Sequence, residues 1–557
     1  MDTIEIYCEN TQSYHTCPPG TNLYQLSQQL QVRLASSVLA ALVDNQLKDL
    51  SYRIYFAMNI RFVDISYPDG MRTYQRSLSF LCRKAVQDVL PDYRLAIQHS
   101  ISRGLYGEIT KDGQPAGEAA LQQVAAHMRE LVKKDIPFIR VKEATEKVIV
   151  LFEQNGQPEK ALLQKTRGRF YTTIYYLDGC PDIFYGPLLY STGYLKVFGL
   201  DKYEGGVLLR MPQANNPLEL EPRPKQPKLF HIFRQHKEWN EILGANSIGS
   251  INKIIQQDEA RCLIQTAEAL QEREYATLAQ QIQKAHDRIK LVLIAGPSSS
   301  GKTTSSKRLG IQAKVAGLNP VALELDNYFV DRDKTPRDAD GNYDFETIGA
   351  LDLDFLNEQL DDLLHGKEIT VPRFDFIDGK RYFPGQRLKA RPNDLLVLEG
   401  IHALNPALTE GVKDENKFKI YASALTSISM DENNRVPTTD NRLIRRIVRD
   451  AQTRGYTASQ TIARWQSVRN GEDRYIFPFQ ENADVMFNSA LLFELPVLRR
   501  HAEPLLHRIH PIDPSYAEAL RLLKFLSYFE MIAPGDEAVI PPTSILREFI
   551  GGSSFTY

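Results

Sequence analysis

The stretch Gly296-Pro297-Ser298-Ser299-Ser300-Gly301-Lys302-Thr303-Thr304 is made of residues that can hold a phosphate chain. It follows the apolar run Leu291-Val292-Leu293-Ile294-Ala295 and precedes residues 304–315, which read as a helix. In that order the glycines let backbone N–H groups converge on phosphate oxygens, and the helix N-terminus adds a favourable dipole potential. Lys302 is placed to hold β- and γ-phosphates and the Thr303 hydroxyl to ligate Mg²⁺. The nucleotide-binding set expected here is Gly296, Ser298, Ser299, Ser300, Gly301, Lys302, Thr303 and Thr304.

Two carboxylates and four arginines supply further chemistry. Asp326, in Leu325-Asp326-Asn327-Tyr328-Phe329, ends a second apolar run, where it can accept a proton from an attacking hydroxyl. The same position suits an aspartate that caps a turn. Glu399 ends Leu395-Leu396-Val397-Leu398 and can bind Mg²⁺ directly or through its water shell, or simply close a turn. Arg442, Arg445, Arg446 and Arg449 fall at i, i+3, i+4 and i+7, one face of a helix. Such a face can close over a transferring phosphoryl group and neutralise its charge. Spacing alone fits equally well a solvated helix balanced by Asp440 and Asp450.

The elements that must position these groups are strand-like apolar runs at 291–295, 321–325, 395–398, 418–421 and 485–487, alternating with loops and helical segments. That alternation predicts a parallel sheet covered on both faces, with ligands at the strand carboxyl ends. Residues 229–289, rich in Gln, Glu, Ala, Lys and Leu, predict a mostly helical connector, preceded by a Pro-rich linker at 216–228. Upstream, Ile4-Glu5-Ile6-Tyr7 alternates like a strand, while 23–34 and 78–89 carry helical spacing, which predicts α+β modules. Residues 520–529 read as a docked core helix, and 551–554 as a mobile end or a docking strand.

At 557 residues the chain exceeds one core, and its net charge of −2 gives no overall polyanion-binding signature. The five cysteines are odd in number and lack paired spacing, which reads as reduced thiols in a cytoplasmic protein. No run approaches the ~18 apolar residues of a membrane span, so no membrane partner is expected.

Residues 290–510 resemble the phosphoribulokinase and uridine kinase family of phosphate-loop kinases. The family's phosphate loop resembles 296–304, its Asp-Ser-Phe-Tyr segment resembles Asp326-Asn327-Tyr328-Phe329, and its Asn-Phe-Asp segment resembles Asn342-Tyr343-Asp344. Its Glu-Gly-Ile matches Glu399-Gly400-Ile401, its arginine-rich lid resembles 440–450, and its Ala-Asp-Val resembles Ala483-Asp484-Val485. The resemblance implies ATP and Mg²⁺ as cofactors and Asp326 as catalytic base, aided by Lys302, Arg442, Arg445 and Arg446. It implies Thr303 and Glu399 as metal ligands, and Asp344 on the ribose diol of an acceptor framed by Tyr343, Tyr328, Phe374, Phe376 and Arg449. The family's Tyr-Asp-Phe appears as Phe374-Asp375-Phe376, and Gly379 stands where the family has a base-reading histidine. These changes remove polar groups that discriminate between bases.

The front half resembles threonyl-tRNA synthetase. Residues 1–63 are similar to its ubiquitin-like TGS domain, in Pro19-Gly20-Thr21 and in 43–50, and 64–215 resemble its editing domain, in Gly104-Leu105-Tyr106 and 182–187. Arg76, Phe80, Phe184 and Leu188 occupy the positions of that domain's histidines and cysteine, so no editing hydrolysis is expected. The expected architecture is therefore multidomain: TGS-like and editing-like α+β modules, a linker and connector at 216–289, an α/β kinase at 290–510 and a helical tail at 511–557. The expected activity is transfer of the γ-phosphoryl of ATP to a ribonucleoside 5′-hydroxyl. The alternatives are another sugar-alcohol acceptor, or an RNA- or ribosome-associated regulator that contacts RNA through the front half. Family members commonly self-associate, so a homo-oligomer is plausible.

Overall fold

The computed structural model describes residues 3–337, 341, 343–375, 378–391 and 394–557. Five strands form one parallel sheet: β1 (Leu291–Ala295), β2 (Asn319–Glu324), β3 (Asp394–Glu399), β4 (Lys417–Ser423) and β5 (Val485–Asn488), in the order β2-β3-β1-β4-β5. Each apolar run noted in the sequence lies on one of these strands, except that Leu325 falls in the turn just after β2. Successive side chains leave opposite faces of a strand. Leu291, Leu293 and Ala295 accordingly join one hydrophobic core, while Val292 and Ile294 join the other. β3 repeats the division, with Leu396 and Leu398 on the first face and Leu395 and Val397 on the second. Burial on both faces explains why these strands read as continuous apolar runs rather than alternating ones.

The helical connector is built into those two cores. The helix Pro227–Ile242 adds Leu229, Phe230, Ile232 and Phe233 to the first, and the helix Ala260–Lys284 adds Tyr275, Leu278 and Ile282 to the second. Full burial of one such side chain is worth about 1.5–3 kcal/mol.

The front half opens on a five-stranded mixed sheet in the order Ser13–Cys17, Ile4–Cys8, Asn59–Val63, Ala40–Val43, Gln46–Lys48. The helix expected over 23–34 spans only Leu23–Gln29, and Gln31 just past it adopts a φ of 48°. A second sheet, in the order Gly199–Tyr203, Gly206–Arg210, Gly104–Lys111, Arg94–Ile101, accompanies the long helices Pro68–Val89 and Glu118–Lys134. Phe80, Phe184 and Leu188 are buried in the core these elements share.

Buried polar contacts tie the halves together. Lys160 reaches Asp182 at 2.8 Å and Asp431 at 3.5 Å, all three fully enclosed. Arg72 pairs with Glu518, and Arg521 joins Glu518 to Asp440. Of the residues expected to form a core helix at 520–529, 520–526 lie on the helix Tyr516–Leu526, which buries Leu522, Phe525 and Leu526, and 527–529 follow its end. No helix among the described residues is long and apolar enough to cross a membrane.

Candidate functional site

The phosphate loop leaves β1 at Ala295 and enters the helix α1 (Lys302–Val315) at Gly301. Ser299 and Gly301 take positive φ angles of 58° and 78°. A Cβ on Gly296 would lie 1.9 Å from the Ala422 carbonyl oxygen, and one on Gly301 would lie 2.7 Å from Ile545 Cγ2, so both glycines are sterically required. Thr303 Oγ1 donates to Glu399 Oε1 at 2.7 Å, while Glu399 Oε2 is buried without a hydrogen-bond partner. A hydroxyl and an orphaned carboxylate oxygen side by side are a donor pair that suits a hard divalent cation. No cluster of three or more His, Cys, Asp or Glu among the described residues offers a complete cage, so such an ion would draw its other oxygens from phosphate and water.

The four arginines lie on the helix α2 (Thr438–Thr453), but they do not form the single basic face that their spacing suggested. Arg442 and Arg445 are fully buried and paired with Glu472 and Glu494. Arg442 Nη1 donates to the Ser298 carbonyl at 3.1 Å, and Arg445 Nη1 to that of Ser299 at 3.4 Å. Both therefore brace the loop from behind, which corrects their reading as phosphoryl-contacting residues. Arg446 and Arg449 remain partly accessible; Arg446 donates to Ser298 Oγ at 2.7 Å. With Arg454 they share one carboxylate, Asp450, which leaves a surplus of positive charge beside the loop.

Asp326 lies exposed in the turn after β2. Crowding by protein raises its carboxyl above the usual range, Lys302 and Arg454 pull it back, and Glu324 adds to the rise. Glu399 is pushed up to about 7, chiefly by burial, with Lys302 opposing and Asp326 reinforcing. Both carboxylates therefore feel the charge of the same lysine, and perturbed groups gathered in this way mark a candidate functional site.

On the acceptor side, Asp344 Oδ1 accepts from Glu346 N at 3.0 Å, and Tyr343 stacks under Arg337. Tyr328 and Phe374 are not available to an acceptor. Tyr328 is buried with its hydroxyl on Gln359 Oε1 at 2.8 Å, and Phe374 is buried against Phe329, so both are core residues. Phe376 and Asn342 lie outside the described residues.

Sequence reasoning missed Glu346, Glu472, Glu494, Arg454 and the segment 541–557. Thr304 donates to Glu548 at 2.5 Å and lies 2.9 Å from the Tyr557 hydroxyl, so residues on either side of 551–554 are packed on the phosphate loop. Glu346 is raised to about 7, first by burial and then by Glu472, with Arg446 and Lys302 opposing. The native state thus holds a proton on Glu346 that the unfolded chain releases near its ordinary value of 4.5. Stability is expected to fall as pH rises from about 4.5 to about 7, and to level off above. Glu399, raised alike, contributes to the same fall, so Glu346→Gln is expected to remove only its own share, about 3 kcal/mol, in urea unfolding across this range. An unchanged slope would exclude Glu346 as a source.

Residues 291–492 match the model of the "Phosphoribulokinase / Uridine kinase family". A uridine kinase from Deinococcus deserti is 31% identical over 202 residues, covering 36% of this chain and 88% of that protein. The chain belongs to the phosphoribulokinase and uridine kinase family. Its front half is similar to threonine–tRNA ligases: that of Francisella tularensis subsp. holarctica is 29% identical over 187 residues, 33% of this chain but only 29% of the ligase. A solved structure described as "a Possible Uridine Kinase from Bacillus stearothermophilus" overlaps 39% of this chain and 98% of its own, at 20% identity and a TM-score of 0.26.

Proposed function

We propose that the chain is an ATP-dependent kinase that transfers the γ-phosphoryl group to a hydroxyl of a ribose-bearing acceptor. The observation that carries this reading is that Asp326, exposed in the turn after β2, and Glu399, held to Thr303, both feel the charge of Lys302. Phosphoryl transfer needs positioning and charge neutralisation more than covalent chemistry.

The loop N–H groups and Lys302 bind the phosphate chain, and Arg446, with Arg449 and Arg454 beside it, offsets charge that develops on the moving group. Asp326 orients the acceptor hydroxyl and takes its proton. Thr303 and Glu399 would hold Mg²⁺, which supplies further neutralisation of the phosphate oxygens when bound. Asp344 is placed to hold a sugar diol.

A second reading, a different alcohol acceptor, is favoured by Gly379. It adopts a φ of 69°, and a Cβ there would lie 2.6 Å from Arg332 Nε, so a cationic side chain packs where the family carries an imidazole. An ADP-release assay over nucleosides and sugar alcohols separates the two readings, with Lys302→Ala as the control. Turnover is expected with a ribose-bearing acceptor and to vanish in Lys302→Ala. Failure of every acceptor in the panel would defeat the proposed reaction.

A further inference from the structure

Between the front half and the start of α2 lies a cavity of about 380 Å³. Arg76, Ser79 and Tyr185 line it from one side, and Arg435, Thr438 and Arg469 from the other.

Arg76 is 8% exposed. Its Nε and Nη2 donate to the Pro187 carbonyl at 3.1 and 3.0 Å and Nη2 also to Thr73 Oγ1 at 3.1 Å, yet no carboxylate lies within ion-pair distance among the described residues. Arg435 is itself partly exposed; it makes no ion pair among the described residues either, and its Nε is enclosed without a hydrogen-bond partner. The molecule treats its other buried arginines differently: Arg83 pairs with Asp182, Arg308 with Glu268, Arg442 with Glu472 and Arg445 with Glu494.

A guanidinium cannot shed its proton to escape this situation. Enclosing a charge without a partner is unfavourable, and two like charges on one cavity add to that cost. The protein's own acids do not offset it. Asp440 lines the cavity, but both its oxygens are taken by Arg521, at 2.6 and 2.9 Å, and the nearby Asp69 is held by Arg72 at 2.7 Å. Space for Arg76 is also kept open by a particular residue: a Cβ on Gly186 would lie 2.4 Å from Arg76 Cζ.

We propose that this cavity is a binding site for a small metabolite whose oxyanion group, a phosphate monoester or a carboxylate, pairs with Arg76 and Arg435. Planar guanidinium groups match both oxyanions in bidentate fashion. The volume lies in the range of small-molecule pockets, about 300–1,000 Å³, rather than that of an extended nucleic-acid track. Arg469 on the same wall pairs with Glu472 at 2.7 Å, and Glu472 accepts the Ser298 N–H at 3.0 Å, so the cavity lies one ion pair from the phosphate loop.

The test uses full-length protein carrying Lys302→Ala, which removes the main cation of the phosphate loop. Inorganic phosphate and citrate are titrated by calorimetry as probes of the two oxyanion classes, and a short single-stranded RNA is run in parallel. One of the two small anions is expected to bind saturably, and Arg435→Gln to weaken it at least tenfold, with Arg435→Lys intermediate. In anion-free buffer Arg435→Gln is expected to raise the unfolding midpoint or leave it unchanged, because it removes an unpaired charge from the cavity wall beside Arg76. Binding of neither small anion, equal binding by Arg435→Gln, preference for the RNA over both anions, or a lowered midpoint in anion-free buffer would each overturn the proposal.

Discussion

Asp326→Asn is expected to lower kcat by about 10³-fold while leaving the acceptor KM within a few-fold of its starting value. A positioned general base contributes roughly 10²–10⁴-fold, so the expected loss corresponds to about 4 kcal/mol of transition-state stabilisation. The substitution keeps the size and the hydrogen-bonding reach of the side chain, so the acceptor hydroxyl is still oriented, but the amide cannot take its proton. Asp326 also lies exposed in a turn rather than in a core, so the change leaves the fold intact. Glu324, two residues away and likewise exposed, raises the Asp326 pKa without being placed for chemistry, and Glu324→Gln is the internal control. Its kcat is expected to stay within about threefold, with a slightly lower pKa in the acidic limb of the pH–rate profile. Steady-state kinetics over pH 5 to 9, roughly the span across which such a base titrates, checks both. Retention of most of the kcat by Asp326→Asn would move the base role elsewhere in the cleft.

The sheet was readable in the sequence because strands buried on both faces must be apolar along their whole length, as 291–295 and 395–398 are. The phosphate loop was readable because its glycines and Lys302-Thr303 answer to backbone geometry and phosphate charge at short range. The partners of the arginine helix were not. Spacing put Arg442, Arg445, Arg446 and Arg449 on one side, but their fates diverge because Glu472 and Glu494 arrive from 30 and 49 residues further along the chain. Tyr328 and Phe374 were expected at the acceptor because their segments resemble those of the family; Gln359 for the first and Phe329 for the second, each distant in sequence, hold them in the core instead. The helical connector was legible as helix from composition, but periodicity says only that a face is apolar. It does not say that Tyr275 and Ile282 would cover the sheet. Ile545 and Glu548 carry no spacing signal at all, and only the fold brings them to Gly301 and Thr304.

Arg442→Met is expected to destabilise the protein by about 3–5 kcal/mol and to weaken ADP binding by about tenfold. The first figure is the usual cost of removing one partner of a buried ion pair. Glu472 would be left enclosed with Arg469 alone, although Arg442 and Arg469 together now hold its carboxyl below the usual range against the effect of burial. The second effect follows from what the pair grips. Arg442 donates to the Ser298 carbonyl at 3.1 Å, while Glu472 accepts the Ser298 N–H at 3.0 Å, so one ion pair fixes both sides of a single loop residue. The double variant Arg442→Met with Glu472→Leu separates the two roles. Replacing both partners with apolar groups removes the uncompensated charge, so most of the lost stability is expected to return. The grip on Ser298 does not return, and ADP affinity is expected to stay low. Urea unfolding and ADP calorimetry on the four proteins of this cycle read the two quantities independently. Strictly additive losses of stability would show that the pair is not a unit. Recovery of ADP affinity in the double variant would show that the loop holds its shape without the grip on Ser298.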